Sequence, residues 1–483
     1  MSVSVESSRL VPPSTERKIS ESSDSSTNAV LTSSDKEALA TFAKTKKKIA
    51  IIVKRKRDFF RHLPDLTINR PTDIALVAFV PDESKPNIRP EVAKCFDWII
   101  YYDDTDNYFY GAKSLDEIKL PNLHVFGDEL VEVVPKDKIL LIHSEETSMT
   151  EVARVRERHG LEGPKIADID PIRRKDLVYQ RARAAGIPIA KTVCIDFAHR
   201  RDKEAIIEEI TETIGDFPMF AKRVMLTGGL GMAKIDNEEG LECWLDGQLK
   251  ERHTTPYVIQ EFINAREFTI VTVLLQNGEF KPLAIKYVGT ENHHECIKTG
   301  KPIVSVIDEF YKLNNSTFPK IYEFTKKVIE TFKPRPPHIL NIQGFQIGDR
   351  YLLSELAYRP GAERINTTLY ATTGYNHYTA LILSHLDPNY VPRPDPEWKA
   401  RILTGFWYPF REGILASHND LPKKPQIHGT VEAEWYISPG KRLQDAKSIL
   451  DMTVGLTLES ATEEERDADI KWISENWAPH MVQ

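Results

Sequence analysis

A chain of 483 residues has room for about three domains, or for one enzyme built from several lobes. Its mean hydropathy of -0.38, and the lack of any run near the roughly 18 apolar residues of a membrane helix, exclude a transmembrane reading. A net charge of -7 denies it the basic field that attracts phosphate backbones, so no nucleic acid and no membrane is expected as a partner.

Twelve of the first 40 residues are serine, with few large apolar residues between them. Residues 1–45 are therefore expected to be a disordered tail, because they cannot bury enough surface to offset their ordering entropy. The tail lacks the charged-then-apolar pattern of a secretory signal, and Glu6, Glu16, Glu21 and Asp24 argue against a transit peptide. Cys95, Cys194, Cys243 and Cys296 lie far apart without CxxC spacing, which fits neither a disulfide scaffold nor a zinc finger. A cytoplasmic protein with reduced thiols is the expectation.

From Lys48 the runs Ile49–Val53, Ile74–Val80, Trp98–Tyr102, Leu123–Phe126 and Ile139–His143 read as strands of a mainly parallel sheet buried on both faces, forming an N-terminal α/β domain over residues 46–165. The basic residues between Lys44 and Arg57 read as solvated strand flanks rather than as a nucleic-acid or lipid contact. Ser144, Glu145 and Glu146 then lead into a helical stretch stopped by Gly160. That loop lies at a strand's carboxyl end, where open α/β sheets bind ligands, which makes Glu145 a candidate to hold a substrate amino group.

A helix over Lys175–Ala185 ends at Gly186 and Pro188, and a strand over Ile189–Ile195 and an acidic helix over Ile206–Ile214 follow. Phe217–Arg223, a glycine loop and Met232–Ile235 suggest a hairpin, and after Tyr257–Phe262 the strands Phe268–Leu275 and Phe280–Val288 turn at Asn277-Gly278. This middle lobe, about 187–290, reads as antiparallel α+β. Ile339–Ile347 and Tyr351–Ala357 form a further hairpin at Gly348-Asp349, followed by a helix over Tyr375–Leu386 and a proline-rich break at Pro388–Pro396. Residues 391–483 are expected to be a small β-rich lobe with a closing helix, and no internal repeat is found.

The stretch from Phe217 to Met232 places Lys222 on a strand just before Thr227, Gly228, Gly229 and Gly231. Glycines let backbone N–H groups approach phosphate oxygens, and a lysine ammonium adds a compact charge beside them. The P-loop pattern GxxxxGK[ST] is absent, and no GxGxxG follows a strand and opens a helix. Alone, the stretch reads equally as a flexible hairpin.

The order and spacing of the neighbouring segments, over about 165–390, resemble the ATP-grasp superfamily in its carboxylate–amine ligase branch. Lys175, in Lys-Asp-Leu-Val-Tyr-Gln-Arg-Ala-Arg-Ala-Ala-Gly-Ile-Pro, resembles the family's first ATP lysine, and Lys222 resembles the second. Tyr257-Val-Ile-Gln-Glu-Phe-Ile-Asn-Ala-Arg-Glu-Phe-Thr resembles the interlobe segment, so that Glu261 and the backbone near Ile263 would meet adenine and Glu267 the ribose hydroxyls. Asn341-Ile-Gln-Gly-Phe and Leu353-Ser-Glu-Leu-Ala-Tyr-Arg-Pro-Gly resemble the metal hairpin, with Gln343 and Glu355 as ligands of Mg²⁺ or Mn²⁺ and Arg359 near the transferred phosphoryl.

The resemblance implies an ATP-grasp fold over residues 166–390, ATP as cosubstrate, and an acyl phosphate intermediate captured by an amine. Three departures, Ala357 where many relatives have asparagine, Gln343 where many have an acid, and Ala265-Arg266 where a glycine is common, put the number of metal ions in doubt. In the loop from Gly289 to Cys296, His294 is a candidate substrate contact, whereas His293 and Cys296 lack a fourth ligand for zinc. Arg364 and Asn366 are candidates for a substrate carboxylate. The segment from Ser144 to Pro164 resembles the N-terminal lobe of carnosine-synthase-like and bacterial amino-acid ligases, which favours amino-acid-type substrates. Homo-oligomerisation stays open.

Plainer readings compete: Lys175 as a solvated helix lysine, Lys222 as a strand-edge charge, Glu261 or Glu267 as cross-strand partners of Arg266 or Lys281, and Glu355 in an ion pair with Arg359. Two rival functions also remain, a bicarbonate-using carboxylating enzyme and a catalytically silent nucleotide-binding scaffold.

Overall fold

The computed structural model describes residues 29–482 apart from 56–59, 65, 104–113, 115–116, 201, 252–255, 290–292 and 310–316, with the side chains of 67, 68, 309, 317, 318 and 363 also left aside. The N-terminal domain carries a four-stranded parallel sheet in the order Trp98–Tyr102, Ile74–Pro81, Lys48–Val53, Ile139–His143. Its two central strands are buried along almost their whole length, as continuous β-branched runs require when both faces are covered.

Two expectations for this region are corrected. Leu123–Phe126 is no strand but part of the helix Pro121–Val133, which buries Leu123, Phe126, Gly127 and Leu130. Proline at the first turn and the i, i+3, i+4, i+7 spacing specify that helix, whereas a short apolar run taken alone cannot distinguish the two periods. The expected tail is ordered over Ser33–Thr45, a helix whose start is a capping box: Asp35 N donates to Thr32 Oγ1 at 3.2 Å and Thr32 N to Asp35 Oδ2 at 2.9 Å. Trp98 Nε1 donates to Asp35 at 2.7 Å, and Leu39 is fully buried, so contacts with distant segments order a stretch whose own composition does not. Residues 1–28 of the expected tail lie outside the described residues.

The middle lobe is a four-stranded antiparallel sheet in the order Thr192–Ile195, Tyr257–Glu261, Met219–Arg223, Ala233–Ile235, backed by the helices Lys203–Ile214 and Glu238–Lys250. The strand expected from Ile189 begins at Thr192, and Ile189 makes only an isolated bridge to Leu353. An eight-stranded sheet dominates the remainder, in the order Arg350–Ala357, His338–Ile347, Arg266–Leu274, Phe280–Val288, Ile303–Glu309, Ile402–Pro409, Met452–Ser460, Thr430–Trp435. The C-terminal segment thus adds three strands to this sheet, and three more form the small sheet Arg442–Leu443, Gly413–Ser417, His480–Val482.

One face of the large sheet, through Val271, Val273 and Ala284, packs with the helix His377–Leu386 and with residues of the parallel sheet. The other, through Phe268, Ile270, Ile285 and Ile342, packs on the helices Ile166–Arg173, Lys175–Ala184 and Thr317–Phe332. A polar row on the first face is therefore set at the junction with the N-terminal domain.

Candidate active site

The site is laid out by strand register. In the hairpin of His338–Ile347 and Arg350–Ala357, Gln343 lies directly opposite Glu355, so both side chains leave the same face. Gln343 is in turn opposite Thr269, and Thr269 opposite Lys286, which makes a continuous row Glu355, Gln343, Thr269, Lys286 across four strands. Glu267, two residues before Thr269, shares that face.

A register shift follows Gln343 immediately, and Gly344 makes it possible: a Cβ there would stand 1.9 Å from the Leu352 carbonyl oxygen and 2.9 Å from the Phe268 ring. Gly344→Ala should destabilise the protein by about 2–4 kcal/mol, because backbone rather than a flexible side chain must move. A urea denaturation midpoint equal to the parent's would contradict this bulge geometry.

Two ammonium groups reach the hairpin from different lobes. Lys175 opens its helix and is buried, with Nζ donating to Leu226 O at 2.6 Å and to Glu355 Oε1 at 3.3 Å. Lys222 lies on an interior strand of the middle lobe, and its Nζ donates to Ser354 Oγ at 3.3 Å. Neither is the solvated or edge lysine of the plainer reading. Lys222 makes no ion pair among the described residues, and burial pushes its ammonium down to about 8, opposed by Glu355 and reinforced by Lys175. A buried ammonium that forms no ion pair among the described residues leaves charge for an anion to neutralise.

Glu355 pairs with Lys175 rather than with Arg359. Arg359 Nε instead donates to Glu146 Oε2 at 2.9 Å, which ties the end of the hairpin to the loop at the parallel sheet's carboxyl edge. The glycine loop follows the strand that carries Lys222, with Gly228, Gly229 and Gly231 at φ +68, +80 and +67, a region closed to most side chains. Thr227 O accepts from Leu230 N at 3.4 Å inside that loop.

Glu261 Oε1 accepts from Lys191 N at 2.8 Å, and Ile263 is partly exposed just beyond the strand end. Glu267 accepts from His293 N at 3.1 Å and pairs through its second oxygen with His293 Nδ1. Burial pushes the Glu267 carboxyl up, but His293 outweighs it and holds the group below the usual carboxylate range. His294 sets its ring edge-on to Phe220 at 5.0 Å, and Phe220 faces Phe262 at 6.0 Å, so the histidine borders an aromatic wall.

The remaining substrate candidates are engaged internally. Glu145 is buried, accepting from Lys54 Nζ at 2.6 Å and Arg55 N at 2.9 Å, which also makes Lys54 a buried ion-pair partner rather than a solvated flank. Asn366 Oδ1 accepts from His377 N at 3.0 Å. Arg364 donates to Thr457 Oγ1 at 2.7 Å and Glu434 Oε2 at 2.6 Å, on strands well beyond that of Lys286 in the sheet order.

Lys286 and Glu146 were not singled out from the sequence. Burial pushes the Lys286 ammonium down, with Glu267 opposing and Arg359 reinforcing the shift. A lysine in the otherwise apolar alternation Ala284, Lys286, Val288 was the available signal.

No protein-family model matches the sequence, and no curated protein matches it either. Solved structures do. An L-amino acid ligase from Bacillus licheniformis superposes with a TM-score of 0.63 at 14% identity, over 91% of this chain and 100% of that one. An N5-carboxyaminoimidazole synthetase from Staphylococcus aureus, complexed with ADP, gives 0.57 at 12% identity over 88% of this chain and 97% of that one. The biotin carboxylase domain of Hydrogenobacter thermophilus 2-oxoglutarate carboxylase, in complex with MgADP and bicarbonate, gives 0.57 at 14% identity over 90% and 91%. Three distinct chemistries on one scaffold, each matched along nearly its whole length, identify the architecture of this chain as the ATP-grasp fold.

Proposed function

We propose that the chain is an ATP-dependent carboxylate–amine ligase that activates a small, amino-acid-like acid as an acyl phosphate and joins it to an amine, releasing ADP and phosphate. The observation that carries this reading is the meeting of Lys175 and Lys222, from separate lobes, at Ser354 and Glu355 opposite Gln343. Such an arrangement suits a triphosphate, whose repulsion toward an incoming carboxylate must be reduced before the two can react.

The donor set fits a magnesium ion. Gln343 and Glu355 would hold it through one neutral and one anionic oxygen, and its charge would offset that of the phosphates. Among the described residues no three His, Cys, Asp or Glu side chains gather as a metal cage, in keeping with an ion that takes its other ligands from phosphate and water. Adenine would lie beyond Glu261 and Ile263 against the wall of Phe220 and Phe262, with Glu267 at the ribose.

The substrate carboxylate oxygen attacks the γ-phosphorus, the bond to the β-phosphate oxygen breaks, and ADP leaves. Carboxylate is a poor electrophile because oxide is a poor leaving group; phosphorylation replaces it with phosphate, which the amine displaces with loss of a proton. Lys222, Lys286 and Arg359 offset the charge that accumulates on the transferred group, and Glu146 holds Arg359 in place. Arg359→Ala should slow turnover about 10²- to 10³-fold while changing nucleotide affinity little, as read by steady-state kinetics beside nucleotide titration.

Support for an amino-acid-type acid comes from the likeness to an L-amino acid ligase. Among the described residues no helix is long and apolar enough to cross a membrane, and a cytoplasmic setting belongs to the same proposal. Ala357 and the likeness to a biotin carboxylase domain in complex with bicarbonate favour a carboxylating reaction as the second reading. A screen of amino acids, singly and in pairs, for stimulated ADP release decides between them. One acid–amine pair should stimulate release; stimulation by bicarbonate without any amino acid selects the second reading, and no stimulation by any pair overturns the ligase.

A further inference from the structure

The glycine loop does not end in solvent. Gly228 O accepts a hydrogen bond from Ile449 N at 3.0 Å, and a Cβ on Gly228 would lie 3.6 Å from Leu450 Cγ and 3.7 Å from Ile449 Cγ1. A Cβ on Gly229 would lie 3.8 Å from Ser448 Cα and 3.7 Å from Ile297. The loop is therefore in van der Waals register with a turn more than two hundred residues further along the chain, just before the strand Met452–Ser460.

That turn is built with care. Asp451 Oδ2 accepts from Lys447 N at 2.8 Å, Ser448 N at 3.0 Å and Ser448 Oγ at 3.3 Å, while Leu450 N donates to Ser448 Oγ at 3.1 Å. Asp451 N donates to Ser448 O at 3.2 Å, and Phe410 N donates to Asp451 O at 2.8 Å, which fastens the turn to the large sheet. Of the amides in this turn, that of Ile449 is the one turned outward to the glycine loop. Ile449 itself is 39% exposed, an uncommon position for a large aliphatic side chain that lies along a seam. A second contact on the same seam joins Lys234 of the hairpin to Glu295 at 3.0 Å.

We infer that the turn 447–451 is a positioning element that holds the glycine loop closed over the triphosphate, with Asp451 as its organising residue. The inference rests on the reading of residues 227–231 as the phosphate cover. A carbonyl pinned at Gly228 fixes the direction of the neighbouring amides, and fixed amides both bind phosphate and keep water from the acyl phosphate. Asp451 touches no substrate; it acts through the Ile449 amide.

Hydrogen exchange with the nonhydrolysable analogue AMP-PNP and magnesium tests this on the full chain, beside the ratio of ADP released to amide product formed. Binding of the analogue should slow exchange of the Ile449 amide about tenfold or more. Asp451→Ala should abolish that protection, raise KM for ATP about tenfold, and release ADP in excess of product. Asp451→Asn, which keeps an acceptor oxygen, should restore most of both. Ser448→Ala serves in the same way should Asp451→Ala fail to fold. A folded Asp451→Ala with the parent's KM, coupling ratio and Ile449 protection overturns the inference and leaves the ATP reading standing. Failure of the unaltered chain to bind AMP-PNP removes the ATP reading, and the inference with it.

Discussion

Lys222→Met is expected to abolish most turnover, roughly 10²- to 10³-fold, without loss of stability. Methionine nearly conserves the volume of the side chain, and removing a desolvated ammonium from a buried position is neutral or stabilising when no carboxylate partner is left behind. Nucleotide affinity carries a further signature. Burial holds the free Lys222 ammonium at about 8, and a bound triphosphate favours the charged form, so binding takes up a proton above that pH. Affinity for AMP-PNP should therefore fall as pH rises through 8 toward 9, and its binding heat should depend on the buffer's ionisation enthalpy. In Lys222→Met both effects should vanish over this range. A variant with the parent's turnover, or a parent whose affinity is flat from pH 7 to pH 9, contradicts the assignment of Lys222 to the phosphates.

Mild acid should unfold the protein. His143, His338 and His385 lie buried at the junction of the parallel sheet with the large sheet, with the His143 and His338 rings stacked at 4.2 Å and His338 5.5 Å from His385. His143 Nε2 donates to Tyr358 O at 2.9 Å, and His338 stands between the carbonyl oxygens of Ile339 and His143, each 3.2 Å from one of its ring nitrogens, so this cluster braces the residue preceding Arg359. Burial, with Arg156 nearby, pushes His143 down to about 3. Burial pushes His385 down to about 4, despite its bond to Leu381, and holds His338 well below the usual range. His377, fully buried, is pushed down to about 3 by burial and by Arg359.

Because these folded-state values lie below the ordinary one near 6.5, only the unfolded chain gains protons at first as pH falls. Stability is fully present above 6.5 and declines below it by about 1.4 kcal/mol per pH unit for each histidine, until the folded values are reached. Because that full slope is reached only well below 6.5, four such groups together remove roughly 6 kcal/mol between pH 6.5 and pH 5, on the order of the whole stability of an ordinary domain. Urea midpoints measured at pH 7, 6 and 5 should drop steeply, and His385→Gln should lessen the slope. Midpoints independent of pH over this range contradict the buried neutral cluster.

The parts of the molecule legible beforehand are those specified by local chemistry. Asn277-Gly278 and Gly348-Asp349 turn the two hairpins where their residue types demand it, and the strand Phe280–Val288 follows as expected, while the one expected from Tyr351 begins a residue earlier, at Arg350. Lys175 and Lys222 meet the hairpin at Glu355 and Ser354, opposite Gln343, a meeting that the resemblance implied and that no single segment's spacing specifies. What stayed hidden depended on contacts between distant segments. Lys286 joins the site only through register with Thr269, and Glu146 only because the parallel sheet meets the hairpin there. Ser33–Thr45 looked too polar to order, because Trp98 and the helix Pro121–Val133 supply its partners from elsewhere. Leu123–Phe126 reads as a strand because four residues, three of them apolar, carry no period.

The most direct test follows one oxygen atom. With the carboxyl group of the acid substrate labelled with ¹⁸O, attack on the γ-phosphorus and later displacement by the amine must carry one labelled oxygen into phosphate in each turnover. Appearance of singly labelled inorganic phosphate, in step with ADP and product, is the predicted result. Unlabelled phosphate, with both labelled oxygens retained by the acid, would contradict activation of the carboxylate at this site.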